Sequence, residues 1–281
     1  MALRIGQVLH GARWNYRLVE SLSYPTSNSH VFKAEIIPPV QSKLLEKWAV
    51  IKTTSEEELQ RTLKREYDCY MNPAIHSSWN FRTMYDTIKM QGSSAYESPD
   101  YLAFEWFDCT LKDVSSESHK RNPVLHKSIS KAVLGALADL KSQRLVHTDI
   151  QSDNILISGL NTPCPVVKLG GLGLTKPEGF SEFPVQPYAV RAPEVWSGLG
   201  CFHRSDMWAF AATLFDWISP RVFGTGDMPP HHWPQAWSMA KLERLFPDSV
   251  TEHPTDPNYQ IVEAQLTCFA NGCYSQKGSF Y

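Results

Sequence analysis

Glycine is scarce in this chain, and its placement is more telling than its number. Only 15 of the 281 residues are glycine, about 5% against the roughly 7% usual in globular chains. None of them lies between Gly11 and Gly92. Backbone in that stretch must turn, or approach a bound group closely, without the residue best suited to either. Long apolar runs are missing too. Nothing approaches the roughly 18 residues that a membrane span needs, so no membrane contact is expected. Neither sign of charge prevails: 27 basic and 29 acidic side chains leave a net charge of −2, which gives no electrostatic reason to expect nucleic acid or an anionic surface. The six cysteines are scattered without a C-x-x-C pair, which points to reduced thiols rather than a disulfide framework or a zinc site. His231–His232 stands among Pro and Trp and reads as loop, not as metal ligand. The start, MALRIGQVLHGARWNY, has neither the apolar core nor the cleavage site of a secretory leader. A cytoplasmic location is expected, with the nucleus as a further one, since no basic localisation run separates the two.

What is present is enough for a core: 42% hydrophobic, 12% aromatic and 20% charged residues, which excludes disorder, collagen and coiled coil. Up to about Phe107 the texture is mainly β. Tyr16 to Glu20 and His30 to Ile37 alternate as strands, Trp48 to Thr53 reads as a short buried strand, and Tyr101 to Trp106 as another. Between them, Ser55 to Met71 follows helical spacing, with Ser55 as N-cap and Glu56, Glu57 and Glu58 at the positive end of the dipole. After Cys109 the texture turns helical. His126 to Ser142 predicts a long buried helix and Ser205 to Trp217 another. Short apolar strands flank the polar loop in LVHTDIQSDNILI and recur in PVVKLGGLGL. From Pro229 onward the pattern does not specify an element. The fold class expected is α+β, a β-rich part followed by an α-rich part.

The polar loop holds Asp149 and Asn154, five residues apart. An acid that accepts a hydroxyl proton beside an amide that ligates a metal suits phosphoryl transfer; taken alone, the two are ordinary turn formers. Other pieces stand in order around them. Ala49-Val50-Ile51-Lys52 lies on a strand, and Glu66 on the next helix is a natural counter-ion. Phe104-Glu105-Trp106-Phe107 closes a strand whose backbone can meet a purine edge. Val166–Gly173, Arg191-Ala192-Pro193-Glu194 and Ser205-Asp206-Met207-Trp208 follow.

This ordered set resembles the protein-kinase signature. It is most similar to the SR-protein kinases and related fungal kinase-like proteins, which carry H-T-D in the catalytic loop and a D-L-G element after it. Val185-Gln186-Pro187-Tyr188 running into RAPEV is similar as well, and the likeness extends from about residue 16 to 245. The resemblance implies a bilobal kinase-like fold. The N-lobe would be residues 1–107, the C-lobe 108–281, with a hinge at 105–109, an unassigned tail from about 246 and a C-lobe shorter than usual. It implies ATP as nucleotide and a protein as substrate or partner. By the same likeness Lys52, paired with Glu66, would hold the α/β phosphates. Val31, Ala49 and Leu156 would sandwich the adenine, Phe104 would stand as gatekeeper, and the backbones of Glu105 and Phe107 would read the base's edge. Asp149 would be the catalytic base, Asn154 a metal ligand, Asp206 a brace for the loop, and His147, Leu172 and Tyr70 members of a hydrophobic spine.

Departures from the pattern fall on phosphate and metal chemistry. Aligned on Val31, the glycine-loop positions are Tyr24, Thr26 and Ser29, with Pro25 among them; these cannot bring backbone N–H groups onto a phosphate as glycine does. The acid of the D-L-G element is Gly171, so the carboxylate that would bridge magnesium to phosphate is gone. Gln151 replaces the lysine after the catalytic acid, and Thr148 the arginine that grips an activation-loop phosphate. The late-helix arginine that usually pairs Glu194 is not identifiable. Each lost electrostatic clamp costs roughly 10²–10³ in rate. The expectation is a pseudokinase that binds a nucleotide, a partner or both, with Mg²⁺ held weakly or not at all. The alternatives are an atypical active Ser/Thr kinase using Lys52, Asp149 and Asn154, and a kinase fold reused for small-molecule chemistry.

Overall fold

The computed structural model describes residues 3–22, 29–38, 46–54, 56–89, 99–228 and 233–246. Tyr24, Pro25, Thr26, Ser55, Gly92, His231–His232, Cys268, Cys273 and the tail from 247 lie outside them. Packing divides the chain into two units, one of residues 1–147 with 153–175, the other of residues 148–152 with 176 onward.

In the first unit a six-stranded antiparallel sheet forms in the order β1-β2-β3-β4-β6-β5. Its strands are β1 (Val8–His10), β2 (Asn15–Ser21), β3 (Ser29–Ile37), β4 (Trp48–Thr54), β5 (Met84–Ile88) and β6 (Tyr101–Glu105). Alternation explains the outer strands: on β2, Tyr16 and Leu18 are buried while Arg17 is exposed. On the inner β4, Ala49, Val50 and Ile51 are buried in succession, as both faces are covered. Trp14, Tyr16, Leu18, Phe32, Ile36 and Ile51 centre the core of this sheet. Asp86 points inward from β5. Its carboxylate accepts from the backbone N–H groups of Ala12 (3.2 Å), Arg13 (2.8 Å) and Trp14 (3.3 Å), so it ties the β1–β2 turn to the far edge of the sheet. Gly11 is required there, since a Cβ would overlap the Asp86 carboxylate and stand 2.7 Å from the Trp14 carbonyl oxygen.

Helix α1 (Glu57–Met71) begins with Glu56 in the N-cap position and no side-chain cap, and it buries Glu66 and Tyr70. It lies against the short turn Leu172–Leu174 so closely that a Cβ on Gly173 would be 2.7 Å from Thr62 Cγ2. Helix α2 (Pro73–His76) is capped by Asn72. Beyond β7 (Cys109–Thr110) and α3 (Glu117–Lys120), helix α4 (Pro123–Ser142) buries Leu125, Ile129, Val133, Ala136 and Leu140. It starts before the expected His126 because Asn122 caps it, accepting from Val124 N–H at 2.9 Å, and proline takes the first turn. Strands β8 (Leu145–Val146), β9 (Ile155–Ser158) and β10 (Val166–Leu169) follow, with β10, β9 and β7 forming a three-stranded sheet.

The second unit carries β11 (Lys176–Pro177), α5 (Pro193–Trp196), α6 (His203–Ile218) and α7 (Pro234–Leu245). The last is the element the sequence pattern left unassigned. Ala236, Met239 and Leu242 of α7 pack with Trp196, and Trp208 joins them. The α+β class expected from the sequence is the class found. Among the described residues no helix is long and apolar enough to cross a membrane.

Candidate functional site

The first unit supplies most of the residues singled out by the sequence. Lys52, on β4, extends to α1 and places Nζ 3.0 and 3.1 Å from the two Glu66 carboxylate oxygens. The lysine side chain is 22% exposed and the glutamate 6%, so this is a largely desolvated ion pair rather than a surface one. The Phe104 ring lies 5.2 Å from the ammonium and 5.3 Å from the Tyr70 ring. Ala49, Phe104, Phe107 and Leu156 are buried and Val31 is half-buried. Register sets Val31 opposite Lys52, and Ala49 opposite Glu105.

Glu105 is engaged at every polar group. Its carboxylate accepts from Lys168 Nζ at 2.7 Å and from Thr83 N–H at 3.1 Å; its N–H donates to the Thr83 carbonyl at 2.9 Å. Its own carbonyl accepts from Arg82 Nε at 2.8 Å. Arg82 is buried, its guanidinium 5.3 Å from the Phe104 ring centre. Burial lowers its pKa from the usual arginine value, while Tyr70, Glu66 and Glu105 act in the opposite sense. Neither Arg82 nor Lys168 is marked by a motif in the sequence. Their only signal was a cation set inside an apolar run, in NFRTM and VVKLGG.

At the D-L-G position, Gly171 adopts φ 76°, in the left-handed region. A Cβ there would overlap the Asn154 amide, standing 2.7 Å from its Nδ2. Asn154 therefore occupies the space where an acid at 171 would begin. The donor set of these two positions is one amide oxygen and no carboxylate, which does not fit the oxygen-rich, acid-containing shell of Mg²⁺.

Asp149 belongs to the second unit. Gln151 turns its Nε2 to the Asp149 carboxylate at 2.8 Å, so the residue that replaces the lysine holds the acid itself. Thr148 sits at φ 63°, strained for a β-branched residue. Its N–H donates to Asp206 Oδ1 at 3.0 Å, and Thr213 Oγ1 donates to the Ile150 carbonyl at 3.2 Å. Buried Asp206, on the first turn of α6, thus pins the loop from below.

Comparison with known proteins adds the family. A model of the protein kinase domain matches residues 42–276, well over half of the chain. The chain belongs to the protein kinase domain family. Cyclin-dependent kinase 2 of Caenorhabditis elegans is 29% identical over 191 residues, 63% of this chain and 48% of that protein. A probable serine/threonine-protein kinase of Dictyostelium discoideum is 32% identical over 136 residues, 47% of this chain and 25% of its own. Human homeodomain-interacting protein kinase 4 is 28% identical over 121 residues, 41% and 20% of the two chains. The matched stretches span less than half the length of each relative.

Within this kinase domain the remaining motif residues find their contacts. Glu194 accepts from Ser205 Oγ at 2.6 Å and pairs with Arg204 Nε at 3.4 Å. Its cation therefore comes from the neighbouring α6. Arg191 donates to the Gln186 carbonyl at 2.8 Å and lies against both the Tyr188 and Trp196 rings, 4.7 and 4.4 Å from their centres. His147, Leu172 and Tyr70 are all buried. His147 Nε2 donates to the Gly170 carbonyl at 2.9 Å, and burial lowers its pKa from 6.5 to about 4. The imidazole is thus neutral in the folded chain at pH 7. As acid is added, the unfolded chain takes up a proton near 6.5 and the folded chain only near 4, so stability is present above this window and falls within it. From pH 7 to pH 5 the expected loss is about 2 kcal/mol, or about 4–8 °C in Tm. Thermal denaturation at the two pH values checks it. His147→Asn should remove most of this dependence, and an unchanged slope in that variant would assign the titration to other groups.

Proposed function

We propose that this chain is a pseudokinase, a kinase-domain protein that acts by binding a protein partner and has lost phosphotransfer. The observation that carries the reading is position 171, where a glycine at φ 76° lies against the Asn154 amide in place of an acid. Gln151 on Asp149 supports it further, since an amide stands where a cation would meet the γ-phosphate. Thr148 and the Val185–Tyr188 stretch support an affiliation with the SR-protein-kinase-like group. The reading keeps a lobe boundary near residue 107, a hinge at 105–109, and a cytoplasmic or cytoplasmic and nuclear location.

One observation favours a second reading. The Lys52–Glu66 pair at 3.0 Å is the arrangement an active kinase needs to hold nucleotide phosphates, and with Asp149 and Asn154 it would serve an atypical, ATP-dependent Ser/Thr kinase. Incubation with ATP and Mg²⁺ or Mn²⁺, followed by mass spectrometry of the chain and of a generic protein substrate, separates the two. The expected result is no more phosphate than Asp149→Ala acquires. Phosphate that appears in the wild type and vanishes in Asp149→Ala would overturn the pseudokinase reading.

A further inference from the structure

A charged side chain takes a backbone group that the kinase likeness assigns to a nucleotide's base. Arg82 is 8% exposed, and its Nε donates to the Glu105 carbonyl at 2.8 Å. That carbonyl is one of the backbone groups assigned to the adenine edge. The side chain reaches it past the other residues assigned to the base. Its guanidinium carbon is 5.3 Å from the centre of the Phe104 ring. Its Cδ is 3.8 Å from where a Cβ of Gly170 would be, a point that is 3.0 Å from Leu156 Cδ1. The backbone beneath is held independently, Arg82 N–H donating to the Leu169 carbonyl at 2.8 Å, so the side chain is delivered from a fixed point. All of these residues belong to the first unit.

We propose that Arg82 is the specificity-determining residue of this pocket, an internal occupant that takes the Glu105 carbonyl in place of a base's amino group and excludes adenine while it stays there. The inference rests on reading Glu105, Phe104 and Leu156 as the base site. Its chemistry is a competition between donors. Adenine offers an N–H donor to a carbonyl, and the guanidinium already supplies one that is charged and stronger. The carbonyl's second lone pair does not resolve the conflict, because an amino group accepted there would stand beside the N–H groups of a charged guanidinium, donor against donor. An entering adenine must first dislodge the arginine and leave its charge seeking another acceptor among buried groups, a loss on the scale of about tenfold to a hundredfold in affinity.

Adenosine is the appropriate probe because it carries neither phosphate nor a need for metal. Isothermal titration of the whole chain should give no saturable binding for the wild type at concentrations where Arg82→Val binds, the variant being at least about tenfold tighter. Equal binding by the two overturns the proposal and leaves the base site standing. No binding by a folded Arg82→Val overturns the proposal and the base site together. A second measurement needs no cavity variant: the Arg82 Nε–H proton in a ¹⁵N spectrum of the wild type, assigned by its loss in Arg82→Lys. It should exchange slowly and stay unmoved by adenosine, and a saturable shift at submillimolar adenosine overturns the proposal. Phosphate transfer from ATP by the wild type would overturn the pseudokinase reading and, since ATP must then bind past Arg82, this one as well, whereas equal adenosine binding by two chains that transfer no phosphate would overturn this one alone.

Discussion

Replacing Lys52 with methionine is expected to cost about 3–5 kcal/mol, a drop of about 10 °C in Tm, because it leaves a buried carboxylate without its cation. Glu66 is 6% exposed and Lys52 22%, so the two partners are not equivalent. Deprived of Lys52, the Glu66 carboxylate has little access to water. Deprived of Glu66, the ammonium sits on a flexible stem and can swing toward solvent. Glu66→Gln should therefore cost less than Lys52→Met. The double variant Lys52→Met with Glu66→Leu should recover most of the loss, since an apolar pair of similar volume restores packing without a desolvated charge. Chemical denaturation of the wild type, Lys52→Met, Glu66→Leu and the double variant gives the cycle, with Glu66→Gln measured beside it, and a Lys52→Met cost below about 1 kcal/mol would mean that the pair behaves in solution as a surface pair. The expected result bears on function. A lysine needed to neutralise a buried glutamate has a structural reason to be there, so the pair does not by itself call for phosphotransfer. It is compatible with a pocket whose base site holds Arg82 and whose metal position holds an amide.

How much of this was legible in the sequence follows from where each interaction closes. Trp48 to Thr53 reads as a strand because its apolar residues are contiguous and β-branched, and α1 and α4 read as helices because their spacing repeats over several turns. Strand β1, with three residues, is too short to show a period. Strand β5 breaks its own pattern, because Asp86 points inward to serve amides more than 70 positions earlier. Helix α7 hides in a segment whose prolines read as loop, although Pro234 only begins it. The same rule governs the site. Lys52 and Glu66 are 14 residues apart on neighbouring elements and could be paired from the sequence. Lys168 and Glu105 are 63 apart, and no local pattern announces that a cation in an apolar strand has found an acid. The missing acid at 171 was visible, whereas the Asn154 amide filling its place depends on a backbone angle. The division into units was not visible either, since it cuts the polar loop after His147 and returns at Asp153.

That loop is the place of the second large effect. Asp206→Ala should destabilise the chain by up to about 3 kcal/mol, and it should loosen Thr148 to Ile150 before anything else. Two terms enter. The Thr148 N–H, in a residue only 1% exposed, loses the oxygen that accepts it at 3.0 Å, and an unsatisfied buried donor costs about 1–3 kcal/mol. The acceptor also holds Thr148 at φ 63°, a conformation strained by about 1–3 kcal/mol for a residue of this kind, and relaxation gives part of that back. Without the bond the loop relaxes toward negative φ and carries Asp149 and Gln151 with it. Asp206→Asn keeps an oxygen at the same reach and should cost less than the alanine variant. Thr148→Gly separates the terms, because glycine accepts positive φ without strain. In the wild type it should be near neutral, relief of strain offsetting the added freedom of the unfolded chain, whereas in the Asp206→Ala background, where the loop has already relaxed, it should cost about 1 kcal/mol. Thermal denaturation of these variants, with hydrogen exchange at the Thr148 and Ile150 amides, reads both terms. A cost for Asp206→Ala within the roughly 0.5 kcal/mol of an ordinary surface change, with exchange unaltered, would show that the loop is held by Thr213 and its neighbours rather than from the first turn of α6.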